Sequence, residues 1–168
     1  MDICGKAVTF GNDVNTDVII PGKYLTTLDP QELAKHAMEG LDPDFTKIAS
    51  EGVIIVAGTN FGCGSSREQA PIALKYAGVN GVLAESFARI FYRNAINIGL
   101  PALECLGILG KVDPGDELCV DLAGGEVVDL SKNESFRALK FPDFVLEIIG
   151  DGGLIEHLRK RLRRDGLL

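Results

Sequence analysis

The sequence predicts an α/β fold with a parallel sheet segment and a smaller antiparallel β portion. Three observations carry this reading. Val53-Ile54-Ile55-Val56-Ala57 and Val79 to Ala84 are continuous apolar runs, the pattern of strands buried on both faces of a parallel sheet. Helical patterns at 66–76 and 87–98 follow those runs, and Leu100 to Leu103 makes a third short strand. Strand, helix, strand, helix and strand in about 50 residues form two crossover units. Downstream the pattern changes, because Gly124-Gly125 separates 117–122 from 126–130 as the turn of a hairpin.

Taken in chain order, Lys6 to Phe10 reads as a strand stopped by Gly11-Asn12-Asp13. Val18-Ile19-Ile20 is an apolar triplet, and the Pro21-Gly22 that follows predicts a strand end running into a shaped loop. Asp29 before Pro30 is a helix start, with the carboxylate as cap and proline at the first helical position. That helix runs past Leu33, Ala37 and Met38 to Gly40, and 42–44 begins a further turn or two. After the Val53 strand, glycines lead into a helix with Ala70, Ala73, Leu74 and Ala77 on one face, closed by Gly78. Gly99 ends the second crossover helix; Asp143 to Ile149 and Leu154 to Leu162 are C-terminal helices. No internal repeat or linker divides the chain, so residues 1–168 read as a single domain.

Composition narrows the function. The formal net charge is −7, whereas a nucleic-acid binder needs clustered cations to replace the counterions of phosphates. The basic run from Arg159 to Arg164 ends a helix, where cations complement the dipole and face solvent. No apolar run reaches the roughly 20 residues of a membrane span, and the N-terminus has no basic stretch before an apolar one. A cytoplasmic location is expected. Cys4, Cys63, Cys105 and Cys119 contain no C-x-x-C pair, and His36 and His157 are isolated. The chain therefore has no metal-ligand pattern of its own, and a disulfide framework is not expected.

The chemistry concentrates in Gly62-Cys63-Gly64-Ser65-Ser66-Arg67-Glu68. Strand, glycine-rich turn and helix start together make an anion site of free N–H groups. A phosphate-binding P-loop would require a lysine before the serines, and a dinucleotide fingerprint a third glycine where Arg67 stands. A carboxylate ligand suits the residues present, since arginine offers a planar fork that grips a carboxylate at two points. The alternative is a capping box in which Ser65 caps the helix and Glu68 reaches back. Cys63 is either a thiol at a helix N-terminus or simply a small turn residue. Arg89 and Arg93, one helical turn apart, suit structural ion pairing or partner contact.

The segment from Gly58 to Pro71 closely resembles the signature of the small subunits of 3-isopropylmalate dehydratase, in the aconitase superfamily. Asp13 to Leu25 and Glu85 to Pro101 resemble the same family in the right order. The resemblance implies a single swivelling β/β/α domain and a hydro-lyase that isomerises 2-isopropylmalate to 3-isopropylmalate in leucine biosynthesis. It implies a large iron–sulfur subunit as partner, in a heterodimer or heterotetramer, with the [4Fe-4S] cluster on that partner. An isolated small subunit is also expected to form homo-oligomers. By position, Ser65 matches the catalytic base, Ser66 a substrate or oxyanion donor, Arg67 the carboxylate clamp and Asp17 an acidic residue at the site edge. Tyr24, Leu25, Thr26 and Thr27 match the loop that sorts substrates. Thr26 stands where homoaconitase-like members can carry an arginine, so an uncharged branched substituent is expected here. A homoaconitase or 2,3-dimethylmalate dehydratase subunit, and a non-catalytic binding module of the same fold, are the alternatives.

Overall fold

The computed structural model describes residues 1–167. Seven strands form one sheet: β1 (Asp2–Thr9), β2 (Val53–Ala57), β3 (Val79–Ala84), β4 (Ala102–Glu104), β5 (Glu117–Asp121), β6 (Glu126–Asp129) and β7 (Glu134–Arg137). Their order is β4-β3-β2-β1-β5-β6-β7. The first four are mutually parallel and the last three antiparallel, with β1 as the seam. Lys6 pairs with Val53 on one side of β1 and with Glu117 on the other. The predicted mixed sheet is therefore present, with a third antiparallel strand, β7, that the hairpin reading did not include. Its sequence, Glu-Ser-Phe-Arg, has one partly buried apolar residue and so little alternation to read.

Seven helices accompany the sheet: α1 (Thr16–Ile19), α2 (Pro30–Ala34), α3 (Phe45–Ala49), α4 (Gln69–Ala77), α5 (Arg89–Asn97), α6 (Asp143–Gly150) and α7 (Leu154–Arg164). Val53, Ile55 and Ala57 of β2 join one core with Leu33, Phe45, Ala70, Leu74 and Phe91. Ile54 and Val56 point the other way into a second core with Leu83, Leu118, Val127, Val145 and Ile149. All five residues of β2 are buried, which is why its sequence is apolar without alternation. Among the described residues, no helix is long and apolar enough to cross a membrane.

Three local expectations need correction. Helix α2 stops at Ala34 and does not run to Gly40, because the chain turns there and Met38 takes a left-handed φ of +60°. Val18 to Ile20 belongs to a short helix, not a strand end: Asn15 Oδ1 accepts the N–H groups of Asp17 and Val18 and caps α1. Cys4 and Cys119 form a disulfide, because β1 begins at Asp2 and its register sets Cys4 opposite Cys119. The Cα atoms are 4.1 Å apart. An antiparallel pairing across 115 residues leaves no local signal in the sequence.

The loops after β1, β2 and β3 leave the same carboxyl edge of the parallel strands, the edge where open α/β sheets bind ligands. They are tied together there. Asn12 Oδ1 accepts the Thr59 N–H at 2.8 Å, and Ser86 Oγ accepts the Asn60 N–H at 2.8 Å. Asn60 Nδ2 donates to Asp13 Oδ1 at 2.9 Å.

Candidate active site

The segment from Phe61 to Glu68 crosses this carboxyl edge. Phe61 is fully buried and packs edge-on against Phe91, with ring centroids 5.2 Å apart. Gly62 next to it has φ +80°, and a Cβ there would lie 2.2 Å from Phe91 Cγ. Glycine is thus required at 62 both by backbone conformation and by close approach. The Gly62 N–H donates to the Val14 carbonyl at 2.7 Å, and the Thr16 N–H to that of Cys63 at 2.8 Å. Thr16 Oγ1, itself buried, donates to the Ser65 carbonyl at 3.0 Å. The serine turn is thereby fixed on the start of α1.

Helix α4 starts at Gln69 rather than at Ser66, and Glu68 occupies its N-cap position without a side-chain cap bond. The capping-box alternative is therefore not realised. The serines are left in an irregular turn closed by the Arg67 N–H on the Ser65 carbonyl at 2.9 Å. Ser65 and Ser66 are both exposed, so their hydroxyls face an open surface. Cys63, half-buried, takes part through its backbone, bridging to Asn15.

Arg67 is the anchored member of the set, with only 14% of its side chain exposed. Nη1 donates to the Ile20 carbonyl at 3.0 Å, and Nη2 is ion-paired with Asp17 Oδ1. Asp17 thus stands beside the serine turn and grips Arg67, while the role of capping α1 falls to Asn15. A guanidinium has five N–H donors; two are engaged here and three remain for a ligand carboxylate.

The loop after Ile20 leads away from the same arginine. A Cβ at Gly22 would lie 3.7 Å from Arg67 Nη2, so the loop backbone borders that guanidinium. Gly22, Lys23 and Tyr24 form a 3-10 turn. Tyr24 and Leu25 pack partly on the core, whereas Thr26 is exposed and Thr27 half-buried. Thr27 Oγ1 accepts the Asp29 N–H at 3.2 Å. The structure thus gathers Asp17, Arg67 and the serine turn through direct contacts, and brings the loop of Tyr24 to Thr27 to them by its first residues.

Arg89 and Arg93 make no ion pair among the described residues, so of the two roles expected of them, structural pairing or partner contact, the first is not seen. They line an open groove with Tyr92, Phe141 and Phe144. Among the described residues no group of three or more His, Cys, Asp or Glu side chains is placed to hold a metal. The thiols do not fit an iron–sulfur cluster: Cys4 and Cys119 are joined, and buried Cys105 donates to the Arg137 carbonyl. Residues missed by the sequence reading are Asn15, Thr16 and the Ile20 carbonyl. A signal for the first was available, since Asn before a short apolar triplet is a helix-start pattern.

Comparison with known proteins identifies the family. Residues 41–106 match the family described as the aconitase C-terminal domain. The chain is 56% identical to the 3-isopropylmalate dehydratase small subunit of Methanosarcina acetivorans, over 93% of this chain and 96% of that one. It is 54% identical to the isopropylmalate/citramalate isomerase small subunit of Methanocaldococcus jannaschii, over 95% of each. The crystal structure of a 3-isopropylmalate dehydratase from Methanocaldococcus jannaschii superimposes with a TM-score of 0.92 at 49% identity, covering 99% of this chain and 98% of that one.

Proposed function

Because the chain belongs to the family of 3-isopropylmalate dehydratase small subunits, we propose that its Ser65 turn is half of a hydro-lyase site, completed by a large subunit. The reaction is the isomerisation of 2-isopropylmalate to 3-isopropylmalate by loss and return of water, a step of leucine biosynthesis. The observation that best supports a carboxylate substrate is Arg67, which is largely shielded and doubly anchored yet keeps donors free beside exposed serines.

In this reading the free N–H groups of Arg67 hold a substrate carboxylate at two points. Ser65 Oγ then takes the proton from the carbon next to a carboxylate and later returns it. A serine hydroxyl is a poor base in water, so the open surface must be roofed by the partner to exclude solvent. Ser66 Oγ donates a hydrogen bond to the oxygen that gains charge, and Asp17 holds Arg67 in place between turnovers. Thr26, exposed and uncharged, leaves the sorting loop suited to an alkyl substituent rather than a further carboxylate.

The thiols of this chain do not fit an iron–sulfur cluster, and we place the [4Fe-4S] cluster on the large subunit. We further propose a heterodimer or heterotetramer, homo-oligomers of the isolated chain, a cytoplasmic location, and residues 1–168 as one swivelling domain. Mixing the purified chain with its large subunit tests the reading. Turnover of 2-isopropylmalate is expected from the mixture and from neither chain alone. Faster turnover of homoaconitate than of isopropylmalate would transfer the assignment to the homoaconitase class.

A further inference from the structure

The sorting loop is held by a network that the reaction itself does not require. Tyr24 stacks on His36, with ring centroids 3.6 Å apart and planes within 8° of parallel. Tyr24 Oη donates to Glu39 Oε2 at 3.2 Å, and His36 Nδ1 lies 2.9 Å from that same oxygen. Lys23 Nζ pairs with the other oxygen, Glu39 Oε1, at 3.3 Å, and lies 4.7 Å from the centre of the Tyr24 ring. Three neighbours thus converge on one partly buried carboxylate.

Glu39 is itself placed by an unusual backbone. Met38 before it has φ +60°, a left-handed conformation that non-glycine residues adopt at a cost, and its side chain is completely buried. The Met38 N–H donates to the Ile19 carbonyl at 2.8 Å, and its own carbonyl accepts the N–H groups of Leu41 and Asp42. Ile19 is followed by Ile20, whose carbonyl receives Arg67. A closed circuit results: Arg67 to Ile20, along the loop to Tyr24, across to Glu39, and back through Met38 to Ile19. Both ends of residues 20–24 are therefore fixed relative to the carboxylate clamp. Partial burial opposes ionisation of Glu39, but the hydrogen bonds from His36, Tyr24 and Lys23 outweigh it and hold its carboxyl below the ordinary range.

We infer that Glu39 is a positioning residue for substrate choice, setting the distance between Arg67 and the loop that receives the substrate's alkyl group. This rests on the dehydratase reading above. Glu39 touches neither substrate nor Ser65; it acts by keeping Tyr24 and Lys23 in place. Loosening it costs the contact energy of a branched substituent, while a methyl substituent extends less far toward the loop and loses less. Alkyl differences of this size are worth roughly 10–200-fold in discrimination.

The test uses the reconstituted two-chain enzyme with Glu39→Ala, Glu39→Gln and Tyr24→Phe, assayed on isopropylmalate and on citramalate, which carries a methyl group instead. For Glu39→Ala the KM for isopropylmalate is expected to rise about 10-fold with kcat changed less than about 3-fold, and the isopropyl-to-methyl ratio of kcat/KM to fall about 10-fold. Glu39→Gln, which keeps an acceptor for Tyr24, and Tyr24→Phe should fall between this and the parent. Equal losses on both substrates, or an unchanged ratio, would overturn the inference. A second readout does not depend on turnover. Tryptic cleavage after Lys23 in the full chain should be faster in Glu39→Ala while the far-ultraviolet circular dichroism is unchanged. Equal cleavage rates would also count against the anchor. If the parental complex turned over neither acid, the dehydratase reading would fail while the cleavage comparison still judged the anchor.

Discussion

At Arg67 two of five guanidinium donors are committed to Ile20 and Asp17, and the remainder are held in a fixed plane beside the serine turn. Lysine has the charge but no fork, so Arg67→Lys cannot keep both anchors and still meet a carboxylate at two points. Loss of a charge-assisted hydrogen bond of this kind is worth about 1.5–3 kcal/mol. Steady-state kinetics of the reconstituted Arg67→Lys enzyme should show kcat/KM lowered by roughly 10–100-fold. A change under threefold would mean that Arg67 only braces the loop. The identity of this residue was legible in the sequence because the lysine and third-glycine versions of the turn could be rejected letter by letter. Its anchoring was not, since the acceptor is a backbone carbonyl 47 residues away.

Among the elements, the buried strands were the most legible, and β2 and β3 have the bounds that their apolar runs imply. Gly78, with φ +111°, ends α4 as read. The elements that the sequence hid are those settled by distant partners: α1, β7 and the Cys4–Cys119 link across β1 and β5. Thiol titration checks that link, because the unfolded, unreduced chain should show two thiols, Cys63 and Cys105, and the reduced chain all four. In the native protein Cys105 should stay silent at pH 8, since burial, aided by Glu85, pushes its thiol up to about 11. Helix α7 has no buried residue and is tied down by Asp151, whose oxygens lie 2.5 Å from Lys160 Nζ and 2.8 Å from His157 Nδ1. The hydrogen bond from Lys160, then that from His157, holds the Asp151 carboxyl below its ordinary value. A depressed folded-state value means stability that is complete above the unfolded carboxyl's pKa of about 4 and lost as pH falls through the folded one. Asp151→Asn should therefore lower the urea midpoint at pH 7, with the gap from the parent narrowing below about pH 4. An equal gap at pH 7 and in strong acid would remove this pair from the account of α7.

For the whole molecule, the parallel strands bring three loops to one edge, and the serines stand on that edge without a roof. In the proposed mechanism the exposed Ser65 hydroxyl acts as a base only once the partner's surface excludes water, so chemistry requires both chains. The mixed sheet was legible from strand order, but its seam at β1 was not, because a strand parallel on one side and antiparallel on the other carries no distinguishing composition. We propose that Ser65 moves the proton in a site shared with the large subunit. The most direct measurement is kcat of the reconstituted Ser65→Ala enzyme on 2-isopropylmalate, alongside circular dichroism and partner binding. Loss of a positioned general base predicts a fall of about 10²–10⁴-fold with fold and association intact; unchanged turnover would contradict the account.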